Sequence, residues 1–315
     1  MTQETLKRFA NDYNLPIQFF DEKLFGYFMN TYDDVLDIAS KYNMLQTAIN
    51  KCGSEHAFLE YSNNLKNSII DAILETDAYK QYNDQNNIDF TTLKGNVSRF
   101  ALPQQMNGFT YCKSANIFNT RNAGKEYISI DLRKANFQAM KYYNKDLVFN
   151  AENYEDMIGQ FTDLEYFKKS KHLRQVIFGN LNASRQIVIE KYITYTMLMA
   201  LAENCDVTPE DVLVFTTDEI VLRNDKKFSV EKIREILNPV ADAKVEKFLL
   251  VQIANKDFYV KEIETADGID VEFKKVPRPY FAQVFKKYFN KPITDEDKLF
   301  VFEGHMAMLK DDIFE

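Results

Sequence analysis

Two adjacent carboxylates interrupt a run of strand-forming residues in the second half of the chain. Val212–Phe215 is apolar, two threonines follow, Asp218 and Glu219 come next, and residues 220–222 are apolar again. Runs of β-branched and aromatic residues around a short polar break predict a tight β-hairpin with the acids at its tip. Two negative charges this close raise each other's pKa unless a cation accompanies them. The pattern therefore indicates a site for a divalent metal ion.

A third candidate ligand is Asp131, at the end of another strand-forming run, residues 127–130. The segment that follows, residues 132–140, has the composition of a helix. If this strand lies beside the 212–222 hairpin, Asp131 and Asp218 converge at one edge of a sheet. Carboxylates from two strands can there bridge one or two Mg²⁺ or Mn²⁺ ions. The alternative is that Asp131 is a helix N-cap and that the acidic pair is an exposed turn.

A basic helix is predicted between these two acidic stretches. Arg174 and Phe178 are four residues apart, which places them on one helix face, and Lys171 begins the same segment. Cations and an aromatic ring on one face suit a nucleoside triphosphate, whose phosphates need positive charge and whose base needs a flat surface. The alternative is a solvated basic helix face.

Composition limits the class of protein. With 315 residues, 45% of them hydrophobic, the chain can bury one large core or two modest ones. A net charge of −8 argues against binding of nucleic acid through bulk positive charge. Three widely separated cysteines argue against a disulfide framework and fit a reducing compartment. An excess of Asn, Lys, Tyr, Ile and Phe without Trp points to an AT-rich source such as a virus or mobile element.

The localisation expected from the sequence is cytoplasmic. The first residues lack a cationic stretch followed by an apolar one, and no apolar run has the length needed to cross a bilayer. We therefore expect a soluble, intracellular protein without a membrane partner, in the host cytoplasm if the source is viral.

Periodicity predicts three regions. Residues 1–90 have helical spacing and form an N-terminal helical lobe, whereas residues 266–315 form a small C-terminal α/β lobe. Between them, residues 91–265 follow the order β-α-β-β-α-β, with a helical insertion at about 157–204. This order predicts an α+β fold with a ferredoxin-like antiparallel sheet.

Taken together, these motifs resemble the palm domain of single-subunit nucleic-acid polymerases. DLRKANF at 131–137 resembles the first palm motif, and TTDEIVL at 216–222 resembles the third, closest to the Asp-Glu form of family A DNA polymerases. KHLRQVIFGNLNAS at 171–184 is similar to the fingers helix of that family, although Ser170 stands where the family has a further basic residue. The resemblance spans residues 125–225, about a third of the chain.

This resemblance implies a metal-dependent nucleotidyltransferase with two bound ions. Asp131, Asp218 and Glu219 would be the catalytic acids: Asp131 and Asp218 would bind the metal together with the backbone carbonyl of Leu132, and Glu219 would be a third metal ligand or an acid that supports the ligands. The expected partners are nucleoside triphosphates, DNA or RNA, and a protein that completes the nucleic-acid channel.

The resemblance also implies roles in nucleotide binding. Lys171 and Arg174 would hold the triphosphate, and Phe178 would stack on the incoming base. Asn136, five residues after Asp131, would stand at the sugar gate with Phe137 next to it. Because asparagine is small and can hydrogen-bond a hydroxyl, the sequence predicts acceptance of ribonucleotides.

Three other interpretations stay open at this stage. The chain can be a non-catalytic nucleic-acid-binding, protein-binding or regulatory protein that keeps a palm-like fold. It can also be a metal-dependent nuclease that uses the same acids. The guanylyltransferase that acts on histidine tRNA likewise joins a strand-end aspartate to an Asp-Glu pair, so an enzyme of that kind is the third alternative.

Overall fold

The structure, a computed structural model, describes residues 1–16, 22–92, 97–104, 106–113 and 117–314. Among the described residues, helices account for 48% and strands for 16%, and the strands form antiparallel sheets, so the protein is of mixed helix and sheet class. Among the residues described, no helix is both long and apolar enough to span a bilayer.

The N-terminal part of the chain is helical, as predicted. Its helices are α1 (Gln3–Asp12), α2 (Glu22–Leu36), α3 (Ile38–Cys52), α4 (Glu55–Glu75) and α5 (Asp77–Asn83). Side-chain caps define where two of them begin: the Ser54 hydroxyl accepts from the Ala57 N–H, and the Thr76 hydroxyl accepts from the Tyr79 N–H. The apolar core of these helices is continuous with the core beneath the central sheet. Division of the chain near residues 90 and 265 stays a prediction.

The central sheet has six strands in the order β2-β3-β1-β4-β5-β6, and all neighbouring strands are antiparallel. They are β1 (Glu126–Leu132), β2 (Val212–Phe215), β3 (Glu219–Arg223), β4 (Ala243–Gln252), β5 (Tyr259–Thr265) and β6 (Gly268–Lys274). The hairpin predicted at 212–222 is therefore confirmed as β2 and β3. β1 lies directly beside β3.

Helices fill two of the three connections between the first four strands, and the third, from β2 to β3, is the hairpin turn. From β1 to β2 they are α6 (Ala135–Tyr143), α7 (Tyr154–Gly159), α8 (Glu165–Lys169), α9 (Lys171–Gly179) and α10 (Ala183–Asn204), with a 3₁₀ turn at Lys145–Val148. α11 (Val230–Leu237) connects β3 to β4. The basic helix predicted from Lys171 is confirmed as α9, which ends at Gly179.

The C-terminal segment contains both helix and strand, as predicted for it. β6 is followed by α12 (Phe281–Tyr288), and β7 (Leu299–Phe302) pairs with β8 (His305–Met308). Short 3₁₀ turns occur at Arg278–Tyr280 and Asp295–Lys298. The buried Asp297 carboxylate accepts hydrogen bonds from Tyr32 and Tyr27 of α2 at 2.5 and 2.9 Å, which ties this segment to the N-terminal helices.

The two faces of the sheet have different coverings. Ile128, Ile130 and Leu132 of β1 point into the core that the helices cover, because alternate residues of a strand share a face. Tyr127 and Asp131 point to the opposite face. There Tyr127 packs with Ile117 and Phe248 in a second apolar cluster. Residues 117–122 therefore cover part of the face that carries Asp131.

Candidate active site

Backbone hydrogen bonds bring the three predicted carboxylates to one end of the sheet. Asp131 and Glu219 are register partners in the antiparallel pair of β1 and β3. The Leu132 N–H donates to the Asp218 carbonyl at 2.8 Å, so the hairpin tip is joined to the end of β1. Asp131 lies inside the strand, and α6 begins only at Ala135, so the alternative of a helix N-cap at Asp131 is wrong.

The carboxylates of the cluster repel one another. Surrounding protein atoms and then the charges of Asp218 and Glu219 raise the pKa of Asp131 to about 6. Burial and the charge of Glu219 likewise raise the pKa of Asp218. Water still reaches the Asp131 and Asp218 side chains, because both residues are exposed. At neutral pH the cluster therefore attracts cations.

Part of the neutralising charge comes from the protein itself. The Lys261 ammonium on β5 lies 3.4 Å from Glu219 Oε1 and 4.6 Å from the centre of the Phe248 ring, and Lys261 is only 5% exposed. Lys244 on β4 is the register partner of Asp131. Lys261 and Lys244 both lower the pKa of Asp131 against the larger upward effects. The sequence prediction missed Lys261, although a lysine between Tyr259 and Ile263 on the same strand face was a usable signal.

The donor atoms of the cluster suit a metal ion, but their present arrangement does not complete a site. Carboxylate oxygens are the ligands that Mg²⁺ and Mn²⁺ prefer. Among the described residues, however, no group of three or more acidic, histidine or cysteine side chains is arranged to hold an ion. Glu219 is paired with Lys261 instead. Leu132 contributes its N–H to the hairpin tip, and the use of its carbonyl as a ligand stays a prediction.

The two predicted phosphate-binding cations lie near the carboxylates. Lys171 lowers the pKa of Asp218 through its charge. Burial lowers the pKa of Arg174, while the charges of Tyr154, Glu155 and Asp131 oppose this effect. The Arg174 guanidinium carbon lies 5.7 Å from the centre of the Tyr154 ring, and its Nε is buried without a hydrogen-bond partner among the described residues. Arg174 is therefore part of a half-buried site and not of a solvated helix face.

A buried network at the start of α9 positions these cations. The Ser170 hydroxyl accepts from the Leu173 N–H at 3.0 Å and donates to the Asp12 carboxylate at 2.9 Å. Asp12, fully buried on α1, also accepts from the Tyr166 hydroxyl at 2.6 Å and the Arg8 Nε at 3.1 Å. The orientation of α9 thus depends on the first helix of the chain.

The aromatic residues predicted to contact the nucleotide lie in the core. Phe178 is 0% exposed and Phe137 is 3% exposed, with ring centres 6.3 Å apart. Phe178 also contacts Tyr154 at 6.4 Å between ring centres. Because the helix face that carries Phe178 packs on protein, its ring cannot stack on a base in this conformation. Asn136 is half-buried, and its Oδ1 accepts from the Phe137 N–H at 2.9 Å.

Sequence reasoning also missed Glu190 on α10. It is 7% exposed, and Gln186 Nε2 donates to its Oε1 at 2.9 Å. Burial raises its pKa to about 7, opposed by the Gln186 hydrogen bond and reinforced by the charge of Asp218. Thr194, one turn further on, donates to the Thr217 carbonyl at 2.8 Å and attaches α10 to the hairpin tip. The spacing of four between polar residues of a largely apolar helix was a signal for this face.

No protein-family model, no curated protein and no solved structure matches the chain. The chemistry of the carboxylate cluster and its cations therefore carries the functional argument.

Proposed function

We propose that the protein is a metal-dependent nucleotidyltransferase of the palm type, a template- or primer-dependent DNA or RNA polymerase. The observation that carries this proposal is the meeting of Asp131, Asp218 and Glu219 at one sheet end, through the β1–β3 register and the 2.8 Å bond from Leu132 to Asp218. The strand order β2-β3-β1-β4, with helices in two of the three connections, supports a ferredoxin-like palm because split βαβ folds have this order.

Asp131 and Asp218 are the proposed ligands of Mg²⁺ or Mn²⁺. A bound ion would supply a Lewis acid for attack of a hydroxyl on the α-phosphate of a nucleoside triphosphate. A second ion would need the Glu219 carboxylate, which Lys261 now neutralises. Two-ion binding thus requires displacement of the Lys261 ammonium.

The cations of α9 would bind the triphosphate. Lys171 and Arg174 both act electrostatically on the carboxylate cluster, so phosphate oxygens near the ligands would lie within their field. Asn136 keeps its proposed place at the sugar gate. Stacking of the base on Phe178 is not part of the proposal, because that ring is fully buried.

A non-catalytic protein with a palm-like fold is the second candidate. The observation in its favour is that Ile117 packs on Tyr127 and Phe248, on the sheet face where a template and primer would lie. The Lys261–Glu219 pair also favours a non-catalytic protein, because the lysine supplies part of the positive charge that a metal ion would supply. On this interpretation, the covered face serves contact with a nucleic acid or a protein.

The decisive test is nucleotide transfer with Mg²⁺ or Mn²⁺, each triphosphate, and short DNA or RNA primers with and without templates. We expect Asp131→Asn and Asp218→Asn each to reduce transfer at least a hundredfold, because each removes a ligand charge. Asp225→Asn, an exposed acid beyond the other end of β3, is the control and should leave the rate unchanged.

The possible outcomes separate the candidates. Absence of transfer by the unaltered protein with every primer would contradict the polymerase proposal and support the non-catalytic one. Metal-dependent cleavage of the primers without incorporation would indicate a nuclease. Addition of guanylate to a tRNA 5′ end in preference to primer extension would indicate an enzyme like the tRNA guanylyltransferase.

A further inference from the structure

A cavity of about 340 Å³ lies beside the end of β1, on the side of the sheet that the helices cover. α6, the start of α7 and the 238–242 turn line it. Arg133 and Lys134, which directly follow β1, form one wall. The three acids of the candidate active site are absent from its lining, but the Tyr154 ring, 5.7 Å from the Arg174 guanidinium carbon, lines it, so the cavity adjoins that site.

One side of the cavity is cationic. Arg133, Lys134, Lys141 and Lys145 line it, against the two lining carboxylates of Glu152 and Asp242 and against Glu155 outside the lining, which pairs with Lys134. This excess of positive charge occurs in a chain whose net charge is −8.

The lining carboxylates are placed so that a ligand can displace them. The Glu152 and Asp242 side chains are 72% and 70% exposed, so they lie at the rim. Lys145 lies 3.8 Å from Glu152 and Arg133 lies 3.7 Å from Asp242, whereas Lys141 lies 2.6 Å from Glu152. Exposed pairs of this kind contribute little to stability. A phosphate group could therefore replace the carboxylates at small cost.

The other side of the cavity is apolar and aromatic, formed by Phe137, Tyr142, Ile193 and Val240. Tyr154 also lines the cavity, and it is 1% exposed. Its hydroxyl is buried without a hydrogen-bond partner among the described residues. Almost none of that oxygen's surface is accessible, so Tyr154 contributes a wall of the cavity and not a hydrogen bond to a ligand.

We propose that this cavity binds a small phosphate ester that carries a planar ring, of the size of a nucleoside monophosphate. The phosphate would lie on the Lys141 side and the ring would lie against Tyr142. Small-ligand sites have volumes of about 300–1,000 Å³, so this cavity has room for one ring and one phosphate and not for a polymer. The inference does not rest on the proposed function.

Calorimetric titration without divalent metal tests the proposal, with the four nucleoside 5′-monophosphates and pyrophosphate as probes. We expect at least one monophosphate to bind, and Lys141→Gln to weaken it roughly tenfold through loss of a charge-assisted contact. Lys168→Gln is the matched control. The two lysines have similar surroundings. Lys168 lies 2.6 Å from Glu165 and its side chain is 21% exposed, and Lys141 lies 2.6 Å from Glu152 and its side chain is 24% exposed.

Asp218→Asn should bind the monophosphate as the unaltered protein does, because that acid does not line the cavity.

Three results would overturn the proposal. The first is that none of the four monophosphates binds at millimolar concentration. The second is that Lys168→Gln weakens binding as much as Lys141→Gln does. The third is that pyrophosphate binds as tightly as the best monophosphate, which would leave the aromatic side without a role.

Discussion

Glu190→Gln should stabilise the protein at alkaline pH. The buried Glu190 carboxyl has its pKa raised from 4.5 to about 7, mainly by burial. A group whose pKa is higher in the folded than in the unfolded state contributes stability below its unfolded pKa and loses that contribution as pH rises through its folded pKa. The Glu190 contribution is therefore complete below pH 4.5 and is lost by about pH 8. Glutamine keeps the shape of the side chain and never ionises.

The size of the effect follows from the pKa difference. Each pKa unit corresponds to about 1.36 kcal/mol, so a rise from 4.5 to about 7 sets an upper limit of roughly 3 kcal/mol. Local relaxation reduces this value, so we expect Glu190→Gln to raise the free energy of unfolding by roughly 1–3 kcal/mol at pH 8. Near pH 4.5 the two proteins should differ little. The stability of the Glu190→Gln protein should still depend on pH, because the pKa of Asp131 is also raised, to about 6.

Urea unfolding at pH 5, 6, 7 and 8 measures this difference. Glu203→Gln, an exposed position on the same helix, is the control and should leave the free energy of unfolding within about 0.5 kcal/mol at every pH. A Glu190→Gln protein that is no more stable than the unaltered protein at pH 8, or a difference that does not grow from pH 5 to pH 8, would refute the reasoning.

Two further predictions concern the cations of the site. Lys261→Met should leave Glu219 without its partner at 3.4 Å and raise the pKa of Asp131 above about 6. It should lower the free energy of unfolding by roughly 1–3 kcal/mol at pH 8. This loss is smaller than the loss expected when one partner of a fully buried pair is removed, because Glu219 is partly exposed. Mn²⁺ should then raise the melting temperature of this variant more than that of the unaltered protein, and an equal rise in both would contradict the idea that Lys261 competes with an ion. Arg174→Ala should reduce catalytic efficiency with nucleoside triphosphates by roughly tenfold to a hundredfold, through loss of a charge-assisted contact. Lys169→Ala, which is 52% exposed and 3.8 Å from Glu155, is its control, and equal losses in the two variants would indicate diffuse electrostatics.

Local patterns in the sequence determined the elements that carry the acids. β-branched and aromatic runs around 216–219 predicted the β2–β3 hairpin, and the run that ends at Asp131 predicted β1. Such elements can be inferred because strand alternation and turn chemistry act over a few residues. The pairing of β1 with β3 was a conditional prediction. It is confirmed, and Asp131 is the register partner of Glu219.

Tertiary packing decided which side chains of those elements are available. Spacing along α9 places Arg174 and Phe178 on one face, but spacing does not show whether that face meets solvent or protein. α9 packs on α6, so Phe178 is core and Arg174 is half-buried. Lys261 and Glu190 are 42 and 29 residues from Glu219 along the chain and reach the acids only through the order of the sheet and the docking of α10. Their pKa effects and ion pairs depend on distances between elements, and these distances arise only when the whole chain has folded.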